Sequence, residues 1–442
     1  MASGEIARDT IAAIATPEGR GGIGVVRLSG PQVGQIAVAV IGRLPEPRAA
    51  IFSEFHDARG ALVDEGIALY FAAPHSYTGE PVLELHGHGG PVVMQALLGV
   101  CLDAGARLAE PGEFTRRAFL EGKLDLAQAE AVADLIDAAS REAARSALRS
   151  LTGEFSEAVA GLTAKLVELR ALTEAMLDFP EEDVDSLHRD DAAARLSLIR
   201  RALEDLLAKS RQGSMLRKGV HVVLAGRPNV GKSSLLNRLA GEERAIVTPI
   251  AGTTRDALRE PIQIEGVPIV VVDTAGLRAS ADIVERMGIE RTQRELERAD
   301  LVLAVFEAGR PAVALEGLPT GVTRIDVYNK LDLAPGFQPP EGNRTVAVSA
   351  KSGEGIDLLR KAILEAAGWV SAGESVFLAR ERHLRAFDAA RVHLEAAAGE
   401  VRRPELFAEE LRLAHHALGA ITGEFTADDL LGEIFARFCL GK

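Results

Sequence analysis

An eight-residue loop, GRPNVGKS at 226–233, constrains the fold more than any other stretch of this chain. It follows an apolar run at 220–225, and a helix is expected to start near Lys232. A strand, a glycine-rich loop and a helix in this order form the Walker A arrangement, in which backbone N–H groups hold phosphates. The sequence therefore predicts a phosphate-binding loop within an α/β domain of alternating strands and helices.

Each residue type in this loop has a chemical reason. The glycines let the backbone turn its N–H groups toward the phosphates, and Lys232 neutralises charge on the β- and γ-phosphates. The hydroxyl of Ser233 is expected to bind Mg²⁺. The residues of this loop that we predict to contact the nucleotide are Asn229, Val230, Gly231, Lys232, Ser233 and Ser234.

Three further motifs follow predicted strands at 270–272, 325–328 and 346–348. The first, DTAG, supplies an Asp to the Mg²⁺ shell and a Gly to the γ-phosphate. The second, NKLD, ends in an Asp that accepts two hydrogen bonds from guanine, a donor pattern that adenine lacks. The third, SAK, is a further contact to guanine, so GTP is expected over ATP. The predicted contact residues are Asp273, Thr274, Ala275, Gly276, Asn329, Lys330, Asp332, Ser349, Ala350 and Lys351.

The usual catalytic groups of small GTPases are missing from their expected positions. Many such enzymes place a Gln that orients the attacking water directly after the switch II glycine. Leu277 stands there in this chain, and a leucine side chain cannot orient water. No arginine finger is evident in the sequence either. Another group must therefore stabilise the charge that develops during hydrolysis.

The rest of the chain divides into segments that differ in composition and in the spacing of apolar residues. A length of 442 residues predicts about three domains. Residues 1–118 mix short β-like runs with Gly and Pro clusters, whereas 119–215 have apolar residues at the spacing of amphipathic helices. The helical texture returns at 376–442. Because the two helical segments flank the nucleotide-binding segment, we predict one helical domain interrupted by an inserted α/β domain.

Composition limits where such a chain works. It is 47% hydrophobic and 26% charged, with a net charge of −14, as in soluble proteins. No apolar run is long enough to predict a transmembrane helix, and the N-terminus does not have the pattern of a secretory signal. Two cysteines exclude a disulfide framework and fit a reducing compartment. We expect a cytoplasmic protein with no membrane association.

Long blocks at both ends of the chain and around the loop resemble the tRNA-modifying GTPase family MnmE, also called TrmE. The blocks are ATPEGRGGIGVVRLSG, SYTGEPVLELHGHGGP, PGEFTRRAFLEGKLDLAQAEAVADLID, GRPNVGKSSLLN, IVTPIAGTTRD, DTAGLRASADIVERMGIER, ITGEFTADDLLGEIF and CLGK. The resemblance covers essentially the whole chain and implies a multidomain α+β and α/β fold. It places an N-terminal α+β folate-binding and dimerisation domain at 1–118, a helical domain at 119–215 and 373–442, and a Ras-like P-loop GTPase domain at 216–372.

The resemblance also implies an activity, cofactors and partners. The family acts on the wobble uridine, U34, of certain tRNAs. Together with the partner MnmG (GidA), which alone carries FAD, it adds a (carboxymethyl)aminomethyl group to C5. The one-carbon unit comes from a tetrahydrofolate derivative, either 5-formyl- or methylene-tetrahydrofolate. Family members form homodimers, which join MnmG in a heterotetramer or a larger assembly.

For the GTPase site, the resemblance implies that K⁺ replaces the arginine finger, since a cation there offsets developing negative charge. The implied K⁺ ligands are Asn229, Thr248, Ile250 and Thr253. Thr254 is implied to join Ser233 on Mg²⁺. The implied nucleotide-contacting loop consists of Thr248, Pro249, Ile250, Ala251, Gly252, Thr253 and Thr254.

The resemblance also supplies the missing water-activating group. Glu285 aligns with the family's catalytic Glu, which gives a predicted catalytic set of Glu285, Lys232 and Asn229. From composition alone, Glu285 would be read as a solvated carboxylate on a helix face, because charged residues are mostly exposed.

In the N-terminal domain, the implied folate contacts are Arg27, Glu84, Lys123 and the last residue, Lys442. Arg and Lys would meet the carboxylates of the glutamate tail, and Glu would meet the N–H edge of the pterin. The alternative is that Arg27 and Glu84 only form an ion pair at a strand edge. Cys439 is a candidate thiol for the modification step, with a buried structural cysteine as the alternative.

Two other functions fit part of the sequence. One is a nucleotide-switch GTPase of ribosome assembly, but such proteins usually end in a basic RNA-binding domain and this chain ends in acidic helices. The other is a folate-binding regulatory module with a vestigial GTPase domain. The intact Lys232, Asp273 and Asp332 argue against it.

Several other signals receive plain structural interpretations. His86 and His88 alternate in a Gly-rich stretch but have no further ligands at metal-binding spacing. Glu307 departs from the family pattern and is expected to lie away from the chemistry. Cys101 is expected in a core, and a solvated helix face is expected to carry Arg141, Arg145 and Arg149.

Overall fold

The computed structural model describes residues 9–178, 185–241, 259–273, 299–312, 321–340, 342, 344–370, 376–424, 428–436, 438 and 441. The chain forms two compact units. The first contains Met1–Ala133 and Leu418–Lys442, and the second contains Asp134–Ala417. The first unit therefore joins the two ends of the sequence.

The first unit is built on a six-stranded sheet with the order β3-β4-β5-β2-β1-β6. Neighbouring strands are antiparallel except for the parallel pair β1 and β6. The strands are β1 (Ile11–Ile14), β2 (Gly24–Ser29), β3 (Ile51–His56), β4 (Leu62–Phe71), β5 (Val82–Gly87) and β6 (Arg107–Leu108). The helices are α1 (Val33–Ile41), α2 (Pro91–Asp103), α3 (Glu113–Leu120), most of α4 (Leu126–Ile136) and, far along the chain, α12 (Asp428–Phe435).

The two faces of this sheet differ because side chains alternate along a strand. Val26, Leu28, Leu83 and Leu85 are buried in one core with residues of α1 and α2. Their neighbours, such as Arg27, point to the opposite face. Cys101 of α2 is fully buried in the same core, as predicted, and burial raises the pKa of its thiol to about 12.

The C-terminal segment completes the first unit. Phe435 of α12 packs in a cluster with Leu126, and its ring lies 6.4 Å from that of Phe119. The C-terminal segment can pack this closely because Gly112 has no side chain. A Cβ at Gly112 would lie 2.6 Å from the Phe435 carbonyl oxygen. At Gly441, a Cβ would lie 2.5 Å from a carbonyl oxygen at the end of β1.

The second unit contains a six-stranded sheet with the order β12-β11-β10-β7-β9-β8. All neighbours are parallel except β8 and β9. The strands are β7 (Val220–Ala225), β8 (Arg259–Ile264), β9 (Val267–Asp273), β10 (Leu301–Glu307), β11 (Thr323–Asn329) and β12 (Thr345–Ala347). The helices are α5 (Arg141–Leu151), α6 (Glu154–Asp178), α7 (Asp185–Lys218), α8 (Lys232–Ala240), α9 (Ile356–Ala366), α10 (Glu381–Glu400) and most of α11 (Pro404–Thr422).

The strands of this sheet are apolar because both faces of a mostly parallel sheet are covered. In β10, every residue but the last is buried. The predicted apolar strand before the glycine-rich loop is confirmed as β7, and the predicted helix start at Lys232 is confirmed as the start of α8. Together with the mixed sheet of the first unit, this parallel sheet confirms the predicted multidomain α+β and α/β fold class.

The helices beside this sheet share a polar contact that the sequence did not suggest. Ser146 Oγ and an Arg149 guanidinium nitrogen both donate to the Val376 carbonyl oxygen at 2.6 Å. The prediction of a fully solvated arginine face is therefore wrong for Arg149, although Arg141 and Arg145 are exposed. In the described ranges, no helix combines the length and apolarity needed to cross a membrane.

Candidate functional site

The glycine-rich loop lies where the chain order of the second sheet reverses. From β7 the chain goes first to β8 and β9 on one side and later to β10 on the other, and ligands of open α/β sheets bind at such a point. Gly226 passes close to β10, so that a Cβ there would lie 2.5 Å from the Val305 carbonyl oxygen. Asn229 and Gly231 adopt left-handed conformations, with φ of 65° and 92°, which Asn and Gly tolerate best.

The ammonium group of Lys232 lies inside this loop. Its side chain is 5% exposed, and Nζ donates to the Gly226 and Arg227 carbonyl oxygens at 2.9 and 3.0 Å. The ammonium group thus lies at the N-terminal end of α8, where backbone N–H groups also favour anions. Ser233 follows and is exposed, so its hydroxyl fits a role in binding Mg²⁺ beside a phosphate.

A single buried amide connects three of the predicted nucleotide loops. Asn329, at the end of β11, is 2% exposed. Its Nδ2 donates to the Val230 carbonyl oxygen at 2.9 Å, and the Ala350 N–H donates to its Oδ1 at 3.0 Å. The structure therefore brings the glycine-rich, NKLD and SAK loops together at the carboxyl edge of the sheet.

Asp332 is oriented by its neighbours in this cluster. Ser349 is fully buried, and its Oγ donates to Asp332 Oδ1 at 2.6 Å. The Ser352 N–H in turn donates to Ser349 Oγ at 3.1 Å. The carboxylate thus has a fixed orientation while remaining exposed, as recognition of two adjacent N–H donors requires.

Lys330 shows one interaction that sequence reasoning missed. It adopts a left-handed conformation, with φ of 67°, and its Nζ lies 3.4 Å from Glu307 Oε2. The two residues come from adjacent strand ends, since Glu307 pairs with Asn329 in the β10–β11 register. Glu307 therefore contacts the Lys of NKLD, while the expectation that it takes no part in the chemistry stays a prediction.

In the first unit, Arg27 and Glu84 face each other across β2 and β5. Two guanidinium nitrogens, Nε and Nη2, lie 2.9 and 2.8 Å from the same carboxylate oxygen, Glu84 Oε1. The guanidinium also lies over the rings of Tyr77 and Phe114, 5.5 and 6.0 Å from their centroids. The ion pair considered from sequence is thus present, and it is compatible with ligand binding as well as with a purely structural role.

This pairing changes how the two residues could meet a folate. The glutamate tail and the pterin are opposite ends of that molecule, but Arg27 and Glu84 form one ion pair. The assignment of Arg27 to the tail and of Glu84 to the pterin stays a prediction, and the structure shows only that the two side chains lie together. Lys123 is exposed and lies at segment 74–80, where its Nζ donates to the Pro74 carbonyl oxygen at 3.1 Å.

A buried ion network that the sequence did not reveal lies in the same unit. Arg117 is 4% exposed and binds three carboxylates: Asp9 at 2.7 Å, Glu113 at 2.9 Å and Glu80 at 3.1 Å. Hydrogen bonds from Arg107 and Arg117 lower the pKa of Asp9. Two of the partners of Arg117 lie 37 and 108 residues away in sequence, so local patterns could not indicate the network.

Each of the two histidines of the Gly-rich stretch pairs with a carboxylate. His86 Nε2 lies 3.1 Å from Glu84 Oε2, and His88 Nδ1 lies 2.7 Å from Asp64 Oδ1. The hydrogen bond to Asp64 raises the pKa of His88. Within the part of the chain that the structure describes, no group of three or more His, Cys, Asp or Glu side chains is arranged to hold a metal ion.

Comparisons with known proteins match both units. A family described as "GTP-binding protein TrmE N-terminus" matches residues 10–123, and one described as "MnmE helical domain" matches residues 126–439. A tRNA modification GTPase MnmE from Azoarcus sp. is 62% identical over 98% of this chain and 98% of its own length. The chain belongs to the MnmE family. Relatives of the same name from Thiobacillus denitrificans and Dechloromonas aromatica are 61% and 58% identical, each over 98% of this chain.

Several residues predicted from the sequence motifs or from the resemblance to the MnmE family lie outside the described residues. They are Thr248, Pro249, Ile250, Ala251, Gly252, Thr253, Thr254, Thr274, Ala275, Gly276, Glu285, Cys439 and Lys442. The backbone of Asp273 ends β9 at the same edge as the glycine-rich loop, since β7 and β9 are parallel. Gly441 lies beside Ile14 of β1, the register partner of Val26.

Proposed function

We propose that this chain is a GTPase that takes part in tRNA modification. With an FAD-containing MnmG partner, it would add a (carboxymethyl)aminomethyl group to C5 of the wobble uridine, U34. The observation that carries the proposal is 62% identity to a tRNA modification GTPase over nearly the full length of both chains. The joined nucleotide loops support the GTPase part of the proposal independently, because their geometry suits phosphates at one end and guanine at the other.

In this proposal, the chain's own residues divide the work of hydrolysis. The loop N–H groups and Lys232 hold the β- and γ-phosphates, and Asp332, oriented by Ser349, selects guanine. Ser233 and Thr254 would hold Mg²⁺. Glu285 activates the water, which Leu277 cannot do.

A monovalent cation would complete the site. The proposed K⁺ ligands are Asn229, Thr248, Ile250 and Thr253. Asn229 supports this assignment because it is exposed in the glycine-rich loop, where a cation could reach the phosphates. A cation there would offset the negative charge that develops on the phosphates, as an arginine finger does in other GTPases.

The first unit would bind a tetrahydrofolate derivative and support homodimer formation. Arg27 and Glu84, together with Lys123 at segment 74–80, are the described residues proposed for the folate. Lys442 would reach the same site, and the seating of Gly441 beside β1 supports this. Cys439 is proposed as a thiol of the modification step. We also propose the domain division at 1–118, 119–215, 216–372 and 373–442.

Two measurements test the proposal. Mass spectrometry of wobble nucleosides from cells lacking this protein should show loss of the modified uridine. The parent chain should restore it, and Lys232→Ala should not. Lys361→Ala serves as a control, because Lys361 is exposed on α9. Unchanged wobble nucleosides in the deletion strain would refute the tRNA role. Equal GTP hydrolysis by the purified chain in K⁺ and Na⁺ would refute the cation assignment.

A further inference from the structure

His86 lies beside the Arg27–Glu84 pair on the same face of the first sheet. It is two residues after Glu84 on β5, so both side chains point away from the core that buries Leu83 and Leu85. In the register, Glu84 pairs with Arg27 and His86 pairs with Val25. His86 therefore extends the ion pair into a row of three polar side chains.

The chemistry of these three side chains determines which nitrogen of His86 carries the donated hydrogen. An ionised carboxylate only accepts hydrogen bonds, so His86 Nε2 must carry the hydrogen and donate to Glu84 Oε2, 3.1 Å away. Arg27 occupies the other oxygen, Oε1, with two nitrogens. Glu84 is thus held at both oxygens, and its carboxylate plane is set by its two partners.

This row of side chains can still accept hydrogen bonds from a ligand. Glu84 Oε2 has a second lone pair, and His86 Nδ1 has no partner among the residues that the structure describes. The His86 side chain is 28% exposed, against 15% for Glu84, so both are reachable from solvent without being fully hydrated. The free lone pair of Glu84 Oε2 suits a ligand edge that presents N–H donors, and it disfavours a carboxylate.

We infer that His86 is a positioning residue for the pterin ring of the folate, acting through Glu84. This inference rests on the proposed folate binding by the first unit. His86 fixes Glu84 Oε2 so that its free lone pair faces the pterin amino and ring N–H groups. The Arg27–Glu84–His86 row is accordingly the pterin end of the site, and the glutamate tail lies toward another part of the surface.

Calorimetry on the full-length chain with 5-formyltetrahydrofolate tests the inference. His86→Ala should weaken binding about tenfold, because it removes a hydrogen bond to a charged group. His86→Gln should bind within about threefold of the parent, since its amide N–H can reach Glu84 as Nε2 does. His88→Gln is the matched control: His88 is 67% exposed and pairs with Asp64 instead. Thermal unfolding checks that each variant is folded.

The possible outcomes distinguish failure of the His86 inference from failure of the proposed folate binding. If the parent chain does not bind 5-formyltetrahydrofolate, the proposed folate function is wrong and the inference falls with it. If the parent binds but His86→Ala binds equally well, only the inference is overturned. It is also overturned if His86→Gln is as weak as His86→Ala, because the donated hydrogen bond would then not be the cause.

Discussion

At the scale of single residues, Asp332 is the group through which guanine is proposed to be selected. Its carboxylate is oriented by Ser349 and exposed at the edge of the sheet. Asp332→Asn replaces one acceptor with a donor, and xanthine offers an oxygen where guanine offers its amino group. We expect the variant to shift nucleotide preference from GTP toward XTP, measured by competition for a fluorescent nucleotide.

Ser349→Ala is the control for this prediction. It removes the hydrogen bond that orients Asp332 but leaves the carboxylate in place. We expect weaker GTP binding, by about tenfold, with the preference for guanine over xanthine retained. An Asp332→Asn variant that binds GTP and XTP as the parent does would show that NKLD does not select the base.

Individual residues also show which features could not be predicted from the sequence. The strands before the nucleotide motifs were predictable because each is an apolar run bounded by a loop with fixed chemistry, as in β7 and β11. The partners of Arg149 and Glu307 were not predictable. Each of these side chains binds a group that only the tertiary fold brings near, at separations of up to 227 residues in sequence. Local periodicity describes which face a residue occupies but not which atom lies opposite it.

At the scale of elements, α3 is flanked by two glycines with the same backbone conformation and different surroundings. Gly112 before the helix has φ of 69°, and Gly122 after it has φ of 65°. A Cβ at Gly112 would meet the Phe435 carbonyl oxygen, whereas a Cβ at Gly122 would have no atom within 4 Å apart from those of its own chain neighbours. Substitutions at the two glycines therefore distinguish the cost of backbone strain from the cost of displacing the C-terminal segment.

Alanine at each position gives a direct comparison. Gly122→Ala should destabilise the first unit by about 1 kcal/mol, which is the cost of a left-handed alanine. Gly112→Ala should cost clearly more, by about 2–3 kcal/mol, because backbone of the C-terminal segment must also move. Chemical denaturation followed by circular dichroism measures both. Equal losses at the two positions would mean that the C-terminal segment is not packed against Gly112.

The network around Arg117 predicts a dependence on pH. Hydrogen bonds from Arg107 lower the pKa of Asp9. Burial opposes the ionisation of Glu113, but hydrogen bonds from Arg107 and Arg117 outweigh it and lower that pKa as well. Groups with lowered pKa values stabilise the fold above their ordinary values near 4 and lose this contribution as the pH falls through the folded-state values.

Arg117→Leu should therefore destabilise the first unit by about 3–5 kcal/mol at pH 7, because it leaves carboxylates without their shared partner. The difference from the parent should shrink as the pH falls from about 5 to about 3, where the carboxyl groups become neutral. Arg412→Leu, which breaks an exposed pair with Glu409 on α11, should change little at any pH. A difference independent of pH would show that Arg117 acts through packing alone.

At the scale of the whole molecule, the division into two units predicts two separable transitions on unfolding. Phe435 is buried against Phe119 and Leu126, although about 300 residues separate it from both in sequence. Phe435→Ala should remove about 3–5 kcal/mol from the first unit and leave the nucleotide-binding unit unchanged. Saturating GDP should raise only the transition of the second unit, since ligands stabilise the unit that binds them. Differential scanning calorimetry with and without GDP thus assigns both transitions, and a Phe435→Ala variant that lowers the GDP-sensitive transition equally would contradict the division.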